Sequence, residues 1–236
     1  MTCKPGVLYI SLTDGASISP PSEISETLAV NLKTNMLKET FIKLSGNYTG
    51  DSSLVNELWT EIEHQYSTKR RHYHTLEHLE NLFEQLIQIK SEIQDWDIIL
   101  FSLYYHDIIY NPLKSDNEEK SAVFAEKRLK QMSIPINRIE ACKKQILATE
   151  STNNDTNYFT DADLSILGKD WKIYFTYLKN VRKEYSIYPD FIYNSGRKKV
   201  LNYFCQCKEY LKQIFFMTNL KNMQNPIYIE NYLCCD

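Results

Sequence analysis

The sequence predicts an all-α protein, and three observations carry that expectation. Apolar residues recur every three or four positions from about residue 34 onward. No run alternates apolar and polar residues as a half-buried strand would. Six glycines and seven prolines in 236 residues leave long stretches without a helix breaker.

The elements follow in order. Residues 1 to about 32 hold Pro5, Gly6, Gly15, Pro20 and Pro21 among scattered Ser and Thr, and are expected to form a loop-rich N-terminal extension. Residues 33–236 are expected to form one helical domain. Helical spacing in Met36–Leu44 and Leu54–Ile62 predicts two helices, split by turn chemistry from Gly46 to Asp51. A third runs from about Thr75 to Ile93, with Leu79, Leu82, Phe83 and Leu86 as its apolar stripe. Trp96 to about Ile109 is apolar on nearly every side and predicts a central buried helix ended by Pro112. Ser115-Asp116-Asn117-Glu118 has capping-box spacing and opens a helix through Met132. Pro135 opens another to Thr149. A polar loop, Ser151–Thr156, leads to a short apolar segment at Asp161–Leu167. Helices over about Lys169–Tyr185 and Ser195–Ile214 complete the pattern.

Composition narrows the function classes. A formal net charge of −3 supplies no basic field for duplex nucleic acid. The longest apolar run, Ile98–Tyr105, falls far short of a membrane span, and Val7–Ile10 is too short for a signal-peptide core. A soluble cytoplasmic protein is expected, with self-association left open. Cys3, Cys142, Cys205, Cys207, Cys234 and Cys235 are expected to be reduced. Cys205 and Cys207 are two apart, which is not CxxC spacing.

Three segments carry chemistry. His72, His74 and His78 fall within seven residues, and His78 shares its helix face with Leu82 and Leu86, so it points inward. His106-Asp107 sits inside an apolar segment. An ionised Asp there costs several kcal/mol unless a divalent cation, a buried Arg or Lys, or backbone amides compensate it. Asp161 and Asp163 flank Ala162 in a third apolar segment, where either can instead cap the short helix. His78, His106, Asp107 and Asp163 together make two imidazoles and two carboxylates, a set suited to a divalent ion with positions left for water. Each alone has a plainer reading as a packed histidine or a cap. Of the 17 tyrosines, Tyr104, Tyr105, Tyr110, Tyr174 and Tyr177 can line a pocket and stack on a nucleobase, although aromatic stripes more often form core.

At these residues the chain resembles the HD-domain superfamily, whose pattern is H…HD…D, and in particular its "predicted metal-dependent HD phosphohydrolase" branch. The matching segments are His72-Tyr73-His74-Thr75-Leu76-Glu77-His78-Leu79, Tyr105-His106-Asp107-Ile108-Ile109-Tyr110-Asn111-Pro112 and Ser115-Asp116-Asn117-Glu118-Glu119-Lys120-Ser121-Ala122. Ile146-Leu147-Ala148-Thr149, Asp161-Ala162-Asp163-Leu164-Ser165-Ile166-Leu167-Gly168, Arg182-Lys183-Glu184-Tyr185 and Gly196-Arg197-Lys198-Lys199-Val200-Leu201 follow in the family's order, over roughly residues 35 to 220.

The resemblance implies an HD-type helical bundle with one divalent metal held by His78, His106, Asp107 and Asp163. Manganese, magnesium, iron, cobalt, nickel and zinc all remain open. The more distant cyclic-nucleotide phosphodiesterases carry a Tyr-His-Asn proton donor four residues before the corresponding ligand histidine. Tyr73-His74-Thr75 stands there, which implies His74 as general acid or phosphate contact, with Thr75 in place of the Asn. The histidine that often follows Ala-Thr in the family is missing after Ala148-Thr149. The implied function is a phosphohydrolase acting on a small phosphate ester, a nucleotide, through metal-activated water. In that reading Glu118 orients the water, and Arg70, Arg71, Lys120 and Arg197 pair with phosphate oxygens. Two alternatives stay open: a non-catalytic metal- or nucleotide-binding module that engages a protein partner, and an iron-dependent HD oxygenase.

Overall fold

Every residue from Ile98 to Tyr105 is buried, as an all-round apolar helix requires. The computed structural model describes residues 23–150 and 158–206, and side chains over 34–150 and 158–202. Its helices are α1 (Glu23–Gly46), α2 (Ser52–Tyr66), α3 (Leu76–Gln88), α4 (Trp96–Tyr105), α5 (Asn117–Gln131), α6 (Ile136–Leu147), α7 (Tyr158–Asp163), α8 (Trp171–Glu184) and α9 (Asp190–Gln206). Short 3₁₀ turns at Lys90–Glu92 and Leu164–Gly168 precede α4 and follow α7. There is no strand among the described residues. None of their helices is long and apolar enough to cross a membrane. The expected loop at Ser151–Thr156 and the chain beyond Gln206 lie outside the described residues.

The centre of the bundle is α4, which packs against α3, α5, α6 and α7. Phe41 of α1 meets Tyr104 edge-on at 5.0 Å and Trp59 of α2 at 6.0 Å. The Tyr104 hydroxyl donates to the Leu37 carbonyl at 2.9 Å. Asp51, Asp95 and Asp170 each accept a backbone N–H at a helix start, on Leu54, Ile98 and Ile173. Cys142 is buried and unbonded to another cysteine, and burial pushes its thiol up to about 12. It is therefore inert.

Boundaries differ from the sequence expectation: α3 ends at Gln88 rather than near Ile93, α9 begins at Asp190 rather than Ser195, and three further differences have a physical cause. The helix expected to begin after residue 32 begins at Glu23, because no Gly or Pro interrupts the chain between Pro21 and Gly46. The buried helix stops at Tyr105 rather than near Ile109. Pro112 has no N–H for the Ile108 carbonyl, and the Arg71 guanidinium takes that carbonyl instead, at 3.0 Å. The capping box at Ser115 does not form. Asp116 is the N-cap without a side-chain cap bond, and it pairs with Lys120 at 2.9 Å. Asn117 ties the preceding loop, donating to the Asn111 and Lys114 carbonyls and accepting from Asn111 N–H.

The α5–α6 turn stores strain. Ser133 has φ 60°, while Ile134 N–H reaches the Leu129 carbonyl and Ser133 N–H the Lys130 carbonyl. These two bonds form a Schellman cap with a serine where glycine fits best. Ser133 is exposed, so no packing opposes a change. We expect Ser133→Gly to raise stability by about 0.5–1 kcal/mol in urea unfolding.

Candidate metal centre

Three chain segments set the centre. His78 lies in the first turn of α3, on the same side as buried Leu79, Leu82 and Leu86. His106 caps the C-terminal end of α4, its N–H closing the last turn on the Ser102 carbonyl. The two Nε2 atoms face each other at 3.1 Å. Asp163, at the end of α7, brings Oδ1 to 3.2 Å from His78 Nε2 and 3.8 Å from His106 Nε2. These three donor atoms lie within 4.8 Å of one another. Asp107 adds Oδ2 at 3.1 Å from His106 Nε2 and 3.8 Å from His78 Nε2. An ion about 2.1 Å from each donor spaces neighbouring donors about 3.0 Å apart at right angles and about 3.4 Å at tetrahedral angles. The separations of 3.1 and 3.2 Å fit that range and the two of 3.8 Å exceed it, so His78, His106 and Asp163 are the donor set that suits a divalent cation, with Asp107 next to it.

The surroundings orient the donors. His106 Nδ1 lies 3.0 Å from the Leu103 carbonyl. Nδ1 therefore carries the proton in the neutral ring, and Nε2 presents its lone pair inward. Burial pushes His106 down, but Asp107 and Asp163 outweigh it and hold the histidine up at about 9. Burial pushes Asp107 up, and His106, His74 and His78 outweigh it and hold the carboxyl far below its usual range. This is the mutual charging expected where imidazoles and carboxylates are gathered in one buried cluster. No lysine or arginine is paired with Asp107 or Asp163 among the described residues. The histidines are almost fully enclosed, while the side chains of Asp107 and Asp163 are 15% and 20% exposed, so solvent reaches the carboxylate side.

His74 stands beside this cluster, its Nε2 3.9 Å from Asp107 Oδ2. Its other nitrogen, Nδ1, is 2.7 Å from Glu184 Oε2, which also accepts the Tyr110 hydroxyl at 3.0 Å. Glu184 Oε1 accepts the backbone N–H groups of His72, Tyr73 and His74 at 2.7, 2.8 and 3.1 Å. One fully buried carboxylate thus holds the whole His72–His74 turn. Burial pushes Glu184 up, but His74 and the backbone donors outweigh it and hold the carboxyl at about 2. The linkage sign follows from a lowered carboxyl pKa. The stabilisation is complete above the unfolded value near 4.5 and is lost as pH falls towards 2. It amounts to on the order of 3 kcal/mol, and Glu184→Gln is expected to flatten this acid limb in unfolding measured between pH 6 and 2.5.

Sequence reasoning did not single out Glu184 as a site residue. A signal was present: Tyr177, Val181 and Glu184 share one face of α8, so the carboxylate rides on a buried stripe. The other named residues divide. Glu118 is half-buried, and burial with Asp107 and Glu150 raises its carboxyl, which places it in the field of the centre. Arg71 is buried between the Tyr66 and Tyr110 rings, and its guanidinium bonds the His74 and Ile108 carbonyls. It is a structural tie rather than a phosphate contact, because those carbonyls have no other donor in the turn. Lys120 is exposed and pairs with Asp116. Arg70 is exposed. Arg197 donates to the Tyr177 hydroxyl at 2.7 Å, and its Nε is buried without a partner.

Asp161 and Asp163 are two residues apart and so face opposite ways on α7. Only Asp163 reaches the histidines. Asp161 is buried with Oδ2 unpartnered, and burial pushes it up to about 6. Tyr104 and Tyr105 are core, whereas Tyr110 lies over His74 with ring centroids 4.1 Å apart. Comparison with protein-family models, curated proteins and solved structures gave no match.

Proposed function

We infer that this protein is a metal-dependent phosphohydrolase of the HD type, acting on a small phosphate ester, a nucleotide. The observation that carries the reading is the convergence of His78, His106 and Asp163, with Asp107 beside His106 and no lysine or arginine paired with either carboxylate among the described residues. His78, His106 and Asp163, with Asp107 beside them, would hold one divalent ion. The chemistry such an ion supplies when bound is acidification of water and withdrawal of charge from a phosphoryl oxygen.

The remaining steps belong to the chain. His74 presents Nε2 to the site and delivers a proton to the leaving oxygen. Glu184 fixes the tautomer by accepting from Nδ1 and stabilises the charged ring before transfer. Glu118, whose half-buried carboxyl feels the Asp107 charge, orients the attacking water. Arg70 is the exposed cation nearest in sequence to the His72–His74 turn and pairs with a phosphate oxygen. The test is elemental analysis of the purified protein, followed by phosphate release from p-nitrophenyl phosphate and nucleotides with Mn²⁺, Mg²⁺, Co²⁺ or Ni²⁺. One ion per chain with release of phosphate supports the reading. Ion binding without product on any ester refutes the enzyme and leaves a binding module.

A further inference from the structure

A cleft of about 460 Å³ opens between α3, the Leu164–Gly168 turn and α8, and His78 forms part of its wall. The volume lies within the ~300–1,000 Å³ typical of small-molecule sites. On the proposed-function reading, an ester bound at the metal centre therefore has a neighbouring space for the rest of the molecule. One wall is aromatic: Tyr73 packs 5.0 Å from the His78 ring and edge-on to Tyr177 at 4.6 Å. Ile166 and Ile173 line the cleft as well. Tyr177 is held in place by Arg197, which donates to its hydroxyl and lies 5.1 Å from its ring centroid.

The polar lining is of another kind. Glu77 and Asn81 are four residues apart on α3, so a carboxylate and a carboxamide stand side by side on one face. Both are exposed, and neither has a side-chain hydrogen bond among the described residues. An aromatic wall with adjacent unused donors and acceptors complements a planar heterocycle that bears hydrogen-bonding groups along its edge. A purely aliphatic ligand would leave the carboxylate and carboxamide unanswered, and a bare phosphate would leave the rings uncovered.

We propose that this cleft is a nucleobase subsite, in which the base lies against Tyr73 and Tyr177 and its edge is read by Glu77 and Asn81. This rests on the phosphohydrolase reading only for the placement of the phosphate, so the test omits turnover. Adenosine, guanosine, cytidine and uridine are titrated into the full chain without added metal, by calorimetry and by saturation-transfer NMR. At least one nucleoside is expected to bind with saturation transferred to its base protons. Glu77→Gln and Asn81→Ala are each expected to weaken that binding roughly tenfold, the loss of about one hydrogen bond. Both positions are exposed, and an unchanged unfolding midpoint confirms that the fold is intact. No nucleoside binding at millimolar concentration, or binding indifferent to both substitutions, overturns the subsite. Base binding with no ester hydrolysed sinks the phosphohydrolase and leaves the subsite standing. Ester hydrolysis without base binding does the reverse.

Discussion

Asp107→Asn is expected to remove the bound metal and lower phosphate release by on the order of 10³-fold. The substitution is nearly isosteric and keeps the backbone, whose N–H at residue 107 donates to the Tyr66 hydroxyl at 3.3 Å. What changes is charge. Asp107 Oδ2 is 3.1 Å from His106 Nε2 and is one of two carboxylates at the centre. An amide there halves the negative charge facing a divalent ion. Elemental analysis should fall from one ion per chain to none, and His78→Ala should do the same. Metal retained at full stoichiometry in both variants would defeat the metal-centre assignment. In the metal-free protein the same substitution should lower the His106 pKa, because Asp107 is the largest influence holding it up. Histidine ring resonances followed against pH test this separately from catalysis.

The second large effect is expected at Glu184. Its carboxylate accepts five hydrogen bonds: three backbone N–H groups, His74 Nδ1 and the Tyr110 hydroxyl. Glu184→Ala leaves these donors without an acceptor in a buried setting, and is expected to cost about 3–5 kcal/mol in urea unfolding. Glu184→Gln is the sharper probe. Its carbonyl oxygen can still accept the backbone donors, but its NH₂ then faces His74 Nδ1, donor against donor. His74 must change tautomer or turn away, and the proton at Nε2 loses its support. We expect a fall of about 10²–10³ in kcat for esters with a poor leaving group such as a ribose hydroxyl. For p-nitrophenyl phosphate, whose leaving group needs little protonation, the fall should be much smaller, with metal content unchanged. Equal losses on both esters would remove Glu184 from proton transfer and leave it a purely structural clamp.

Much of the bundle is legible because burial leaves a local imprint. The all-round apolar stretch at Ile98–Tyr105 has one stable placement, and it is the central helix. The stripe of Leu79, Leu82 and Leu86 likewise gave His78 its inward face. Helix ends were harder. Asp116 spends its carboxylate on Lys120 and Asn117 spends its amide on the loop, so the capping-box spacing at Ser115 is present and the motif is not. Arg71 shows the same limit: an arginine beside a histidine cluster looks available to phosphate until the carbonyls of His74 and Ile108 are seen to occupy it.

By itself the sequence determined the helical class and the inward direction of His78, since both follow from spacing along a single helix. It also marked Asp107 as a charge needing a partner, because nothing in its own segment supplies one. Spacing alone left Asp161 and Asp163 equivalent and the family resemblance pointed to Asp163; the tertiary structure turns Asp163 to the histidines, and it alone shows that Glu184 reaches back 110 positions to hold His74. Such pairings depend on how helices distant in sequence pack, and neither periodicity nor composition records the distance between two residues on different helices.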